Sequence, residues 1–158
     1  TRSYAESYGR LLAMKLLQEY PEGFDLLTWV PVSAARKRRR GYDQVELIAR
    51  AVGRELGITP VLVLKKIRNN RPQSGIEGQA QRRANVLGAY IITDPTQVAQ
   101  KRILLLDDIL TTGATLAECA GLLISRGAES VRIAVPYRTL PRRPKQTLWY
   151  AAAGKNSQ

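Results

Sequence analysis

From Ile103 to Thr115 the chain reads Ile-Leu-Leu-Leu-Asp-Asp-Ile-Leu-Thr-Thr-Gly-Ala-Thr. Four apolar residues in succession suit a central parallel strand covered on both faces, because a half-exposed strand would alternate apolar with polar. Such a strand commits the chain to an open α/β sheet, and in those sheets ligands bind outside the carboxyl ends of the strands. The two acids, Asp107 and Asp108, stand at that end.

Each part of the run has a chemical use. Ionised at neutral pH, Asp107 and Asp108 are acceptors only, and they suit a ligand that offers several donors in a small space, such as vicinal ribose hydroxyls. Thr111, Thr112, Gly113, Ala114 and Thr115 supply hydroxyls and a permissive turn before the helical periodicity of Leu116, Cys119, Ala120 and Leu123. Amides at a helix start, with the macrodipole behind them, favour an anion such as a 5′-phosphate. Two acids beside a phosphate also suit a hydrated Mg²⁺ that bridges ligand oxygens. The plainer alternative is an acid pair that ends a strand and a Thr115 that caps a helix. The whole pattern is much rarer than either of those parts.

Taken together, the run resembles the phosphoribosyl pyrophosphate (PRPP) motif of type I phosphoribosyltransferases, at every position. Other segments narrow the resemblance. Val30-Pro31-Val32 ends an apolar run begun at Leu26, and Arg36, Arg38, Arg40, Gly41, Tyr42, Asp43 and Gln44 follow. Further on come Arg71-Pro72-Gln73 and then Arg82 to Tyr90. Over about residues 24 to 138 these are similar to the ComF family, phosphoribosyltransferase-like proteins associated with DNA uptake in competent bacteria. That family commonly has Arg-Gly-Phe-Asn-Gln where this chain has Arg40-Gly41-Tyr42-Asp43-Gln44, which keeps a good helix cap at Asp43. Its full-length pattern also opens with a cysteine-rich zinc ribbon. Here Cys119 is the only cysteine and there is no histidine, so no such zinc site is expected within these residues.

The resemblance implies an α/β, type I phosphoribosyltransferase-like fold: a mostly parallel central sheet flanked by helices, with a flexible hood loop. It implies one domain over 1–158, with an N-terminal helix in 1–23, a core in 24–152 and a tail in 153–158. Asp107 and Asp108 are the expected catalytic and ribose-binding acids, with Thr111, Thr112, Gly113, Ala114 and Thr115 on the 5′-phosphate. Val32, Ser33, Arg36 and Arg40 are weaker candidates for the pyrophosphate. Mg²⁺ would arrive with PRPP, held through ligand and waters rather than directly by protein. The implied reaction is displacement of pyrophosphate from C1 by a nitrogen nucleophile, or its reverse. Its transition state has ribosyl-cation character and is served by positioning and charge stabilisation.

Charge is the second constraint. Twenty-five Lys and Arg against thirteen Asp and Glu give a formal net charge of +12, which attracts any extended anion. Arg36 to Arg40 form the densest cluster, and Lys65, Lys66, Arg68, Arg71, Arg82 and Arg83 a second. Lys37, Arg38 and Arg39 are the expected nucleic-acid contacts, through an electrostatic, salt-sensitive interaction. Aromatic platforms are too few and scattered for the base-stacking sheet of an RNA-recognition domain.

At 158 residues and 44% apolar content, the chain suits one soluble domain. It has neither an eighteen-residue apolar run nor a signal-like start, so a cytoplasmic location without membrane insertion is expected. Without histidine, Ser-His-Asp and Cys-His sites are excluded as usually built, and no G-x-G-x-x-G or P-loop pattern occurs. Cys119, on an apolar helix face, reads as a core thiol.

Periodicity predicts helices at 4–19 (Tyr4, Tyr8, Leu11, Leu12, Leu16 and Glu19 at helical spacing, capped by Ser3 and stopped before Pro21), 44–56 and 115–126, and strands at 26–32, 62–67, 87–93, 103–107, 131–136 and 147–151. The strands from 87 onward are expected to complete one sheet. Residues 68–81, with Asn69-Asn70, Pro72, Gly75 and Gly78, read as a mobile loop in the hood's place. Two functional classes stay open. One is a PRPP-binding accessory of DNA uptake, or of nucleotide-related metabolism, whose partner is single-stranded DNA or a helicase. The other is an active phosphoribosyltransferase with a purine, pyrimidine or amine acceptor and no DNA role. Oligomeric state is left open.

Overall fold

A computed structural model of the chain describes residues 2–32, 37–39, 41, 43–67, 88–107, 114–135 and 148–152. The elements are α1 (Arg2–Glu19), β1 (Leu26–Trp29), α2 (Gln44–Leu56), β2 (Leu64–Lys66), β3 (Tyr90–Ile92), β4 (Arg102–Leu106), α3 (Ala114–Ser125), β5 (Ser130–Val135) and β6 (Leu148–Ala152). A four-stranded sheet has the order β1-β4-β5-β6. β1, β4 and β5 are parallel, and β6 runs antiparallel along β5. The expected mostly parallel sheet is therefore present, with β4 in its interior.

Ile103 to Leu106 are all completely buried, and alternate side chains serve two cores. Ile103 and Leu105 join Leu26, Val131 and Ile133 under α3, which contributes Leu116, Cys119, Ala120 and Leu123. Leu104 and Leu106 join Leu27, Trp29 and Ala134 under α1 and α2. The continuous apolar run thus follows from burial on both sides.

α2 matches its predicted range. Asp43 caps it by accepting from the amides of Val45 (3.0 Å) and Glu46 (3.3 Å), and Gly57 ends it at φ +72°. α1 departs from expectation in two ways. It starts at Arg2, so Ser3 lies inside the helix rather than at its cap. Its buried face is Ala5, Leu12, Ala13 and Leu16, while Tyr4, Leu11, Met14 and Leu17 face outward. The reason is close packing on α2 through small residues: a Cβ placed on Gly9 would lie 2.5 Å from the Cβ of Ala51.

The strand expected at 87–93 does not join the main sheet. β3 pairs antiparallel with β2 in a separate two-stranded sheet. Its burial alternates, with Tyr90 buried, Ile91 exposed and Ile92 between, as one-sided packing requires. This small sheet is moored to the edge of β1, where the Val61 amide donates to the Leu27 carbonyl (2.9 Å) and the Val63 amide to the buried Thr28 hydroxyl (3.3 Å). β1 is also shorter than its predicted 26–32. The loop expected at 68–81, the Pro- and Arg-rich connection at 140–146 and the tail from 154 lie outside the described residues.

Gly9→Ala tests the α1–α2 contact. Alanine favours an isolated helix by about 1 kcal/mol over glycine, but overpacking at this separation costs more, so a net loss of about 1–2 kcal/mol is expected. Urea denaturation monitored by circular dichroism checks the sign.

Candidate ligand site at the carboxyl edge of the sheet

β4 ends at Leu106, and Asp107 follows, half-buried, with its amide donating to the Ala134 carbonyl of β5 (3.3 Å). Its backbone is thereby fixed between two parallel strands, at the edge where the sheet's helices begin. α3 starts at Ala114, so Thr115 occupies the first helical turn and is not the cap. Both residues are half-buried. The expected site members Asp108, Thr111, Thr112 and Gly113 lie outside the described residues.

On the α3 side of the sheet, Tyr90 and Cys119 are buried in the same core. Burial pushes the Cys119 thiol well above its ordinary pKa, with the Asp107 and Glu118 carboxylates adding to the rise and Lys66 opposing it. This is a core thiol, as its place in the helical pattern suggests. Burial likewise raises the Tyr90 phenol, and Cys119 and Asp107 are near enough to add to that rise. The lead into β3 is tied to α3, where the Gly88 amide donates to Glu118 Oε1 (3.2 Å). Gly88 takes φ +75°, a left-handed backbone that suits glycine.

On the other side of the sheet the edge carries the basic segment. Val32 is half-buried; Ser33, Arg36 and Arg40 lie outside the described residues. Lys37, Arg38 and Arg39 form an exposed helical turn, closed by the Gly41 amide donating to the Lys37 carbonyl (2.8 Å). Lys37 Nζ approaches Glu46 of α2 (3.9 Å), and Glu46 also pairs with Arg50 (2.8 Å). Asp43 stands between this segment and α2, buried beside Trp29. Burial raises its pKa against the pull of its amide donors and of the nearby Trp29 indole, whose N–H stops short of hydrogen-bonding geometry.

Sequence reasoning passed over Tyr90, Glu118, Lys66 as a core-facing residue, and the Trp29–Asp43 contact. The signal for Lys66 was available. It stands two residues after Leu64, and so on the same face of the strand as a buried leucine.

The phosphoribosyl transferase domain family matches residues 11–151. The chain therefore belongs to that family. Within it the chain is 31% identical to Competence protein F of Haemophilus influenzae over 106 residues, covering 66% of this chain and 46% of that protein. It is 36% identical to Competence protein ComFC of Streptococcus pneumoniae over 103 residues (65% and 43%). It is 30% identical to the DNA utilization protein YhgH of Salmonella typhi over 117 residues (73% and 50%). These matches bear out the ComF resemblance, and the chain spans about half the length of the curated relatives it matches. The glutamine PRPP amidotransferase of B. subtilis, solved with ADP and GMP, superposes with a TM-score of 0.57 at 24% identity. That match covers 85% of this chain and 26% of the other, and it shows the fold alone.

Asp43 offers a test with a defined sign. A carboxyl whose folded pKa lies above its unfolded value costs stability when ionised, so stability falls as pH rises from the unfolded value through the folded one. Asparagine caps a helix as well as aspartate does. Asp43→Asn is therefore expected to match or exceed the parent in stability at neutral pH. That advantage should vanish by about pH 3, in urea melts taken across the range.

Proposed function

We propose that this chain binds PRPP with Mg²⁺ through residues 103–115 and serves in DNA uptake, using its basic edge segment on single-stranded DNA. The observation that carries the reading is the position of Asp107. A carboxylate is fixed at the end of a fully buried parallel strand, and the first turn of α3 follows after six residues. Acceptors for a vicinal diol and an anion-favouring helix start then belong to one connection.

In this reading Asp107 and Asp108 take the ribose hydroxyls, and Thr111 to Thr115 take the 5′-phosphate. Val32, Ser33, Arg36 and Arg40 meet the pyrophosphate. The carboxylate of Asp107 is a hard oxygen donor of the kind Mg²⁺ takes. An ion here would be held chiefly by ligand oxygens and water, and it would offset pyrophosphate charge. The names of the relatives, competence and DNA utilization, support the uptake role. Among the described residues no helix is long and apolar enough to cross a membrane, which is compatible with work in the cytoplasm.

Replacing Asp107 and Asp108 together by asparagine should remove most PRPP affinity in calorimetric titration and leave the melting temperature nearly unchanged, since Asp107 is only half-buried at a strand end. Unchanged affinity would mean the site is elsewhere. Arg38→Ala with Arg39→Ala should weaken single-stranded DNA binding. The slope of log K against log salt should become shallower by roughly 1–2 units, with PRPP binding unaffected. A wild-type chain without DNA affinity even at low salt would remove the nucleic-acid part of the reading.

A further inference from the structure

The two-stranded β2–β3 sheet has an outer face and a core face, and a lysine stands on the core face. Its register pairs Leu64 with Ile92, Lys65 with Ile91 and Lys66 with Tyr90. Side chains two apart on a strand share a face, so Leu64, Lys66, Tyr90 and Ile92 point the same way. Leu64 and Tyr90 are buried and Ile92 packs against the same core, while Lys65 and Ile91 are exposed on the other side. Lys66 is half-buried, and its ammonium lies 5.9 Å from the centre of the Tyr90 ring.

Two contacts set where this cation sits relative to the candidate site, and an electrostatic effect agrees with them. Tyr90 belongs to the core that holds Cys119 and Leu116, one turn or less beyond Thr115. The Gly88–Glu118 hydrogen bond keeps the start of β3 on α3. The charges of Lys66 and Asp107 are both felt at the Cys119 sulfur, from opposite directions in sign. Lys66 is thus a cation brought from a separate sheet to the α3 side of the edge where Asp107 ends β4. A merely solubilising lysine belongs on the outer face, where Lys65 already is. The energetic cost of a half-buried ammonium is offset by the face of a tyrosine and by the exposure its stem leaves to the charged head.

We propose that Lys66 is a further ligand-binding residue of the site, its ammonium contacting an anionic oxygen of the phosphorylated sugar across from the Lys37–Arg39 segment. This rests on the reading of residues 103–115 as a sugar-phosphate pocket. The flexible stem reaches over Tyr90, and the charge balances the acid pair that an anionic ligand must approach.

The test is calorimetric titration of the whole chain with PRPP and Mg²⁺ at several salt concentrations, comparing the parent with Lys66→Met and Lys66→Arg. Methionine keeps an apolar stem on Tyr90 and removes the charge. Its expected effect is a loss of about tenfold in affinity, the usual scale for a charged hydrogen bond, with a shallower salt dependence and a nearly unchanged melting temperature. Arginine should restore most of the affinity. Parental affinity in Lys66→Met overturns the proposal. So does a loss shared by Lys66→Arg and accompanied by a lower melting temperature, which marks a packing role. A parent chain that binds no PRPP overturns the pocket reading itself and this assignment with it, a result separable from the other two because the wild type alone shows it.

Discussion

Burial of β4 on both faces is the constraint on which the remaining architecture depends. Each of its four apolar side chains contributes roughly 1.5–3 kcal/mol when removed from water, against a net stability of about 5–15 kcal/mol for a typical domain. Ile103 and Leu105 secure α3, and Leu104 and Leu106 secure α1 and α2. A register slip of one residue would exchange those two sets and misfit both cores. Asp107 is therefore located by hydrophobic packing it does not share. The carboxylate stands where the strand stops because the apolar residues before it have no freedom to shift.

The same packing explains which parts of the fold could be read from the chain. β4 is a continuous apolar run because it has two buried faces, and α2 carries both of its boundaries in local chemistry, Asp43 at one end and Gly57 at the other. α3 is equally plain, since Leu116, Cys119, Ala120 and Leu123 fall on one buried stripe. Each of these is set by residues close in sequence. The separate β2–β3 sheet is not: its identity depends on pairing between residues 64–66 and 90–92 and on mooring to the Leu27 carbonyl and Thr28 hydroxyl. The face of α1 is only partly legible: Leu12 and Leu16 are buried as their spacing predicts, but glycine and alanine carry much of the remaining contact with α2. Counting large apolar residues picks out Tyr4 and Leu11, whereas close approach selects Ala5, Gly9 and Ala13.

At the candidate site, the acids and the hydroxyl-rich turn stand apart from the core in the sequence, because their pattern is contiguous. It missed Tyr90 and Glu118, which β3 and the second turn of α3 bring to the Asp107 side of the sheet only after folding. The Asp25–Arg102 pair shows the same limit at the opposite edge of the sheet. Arg102 donates through Nε and Nη2 to the Asp25 carboxylate (both 3.1 Å) and through Nη1 to the Glu22 carbonyl (3.1 Å), joining the starts of β1 and β4 across 77 positions. The guanidinium holds the Asp25 carboxyl below its ordinary pKa. Nothing local to either residue announces that partnership.

Charge and geometry divide the work of recognition at the carboxyl edge. A net charge of +12 attracts polyanions of every kind, but in physiological salt that attraction fades over about 8 Å. Lys37, Arg38 and Arg39 are exposed on a short helical turn, a surface that would suit a long phosphate backbone in the proposed reading. Asp107 answers a different question. A carboxylate fixed at a strand end repels a bare phosphate and accepts hydrogen bonds only from donors, so it favours an anion that also presents hydroxyls. On the proposed reading, an acid at the base of a basic edge is a filter rather than a contradiction: long-range charge would bring anions in, and short-range acceptors would distinguish a sugar phosphate from phosphate alone.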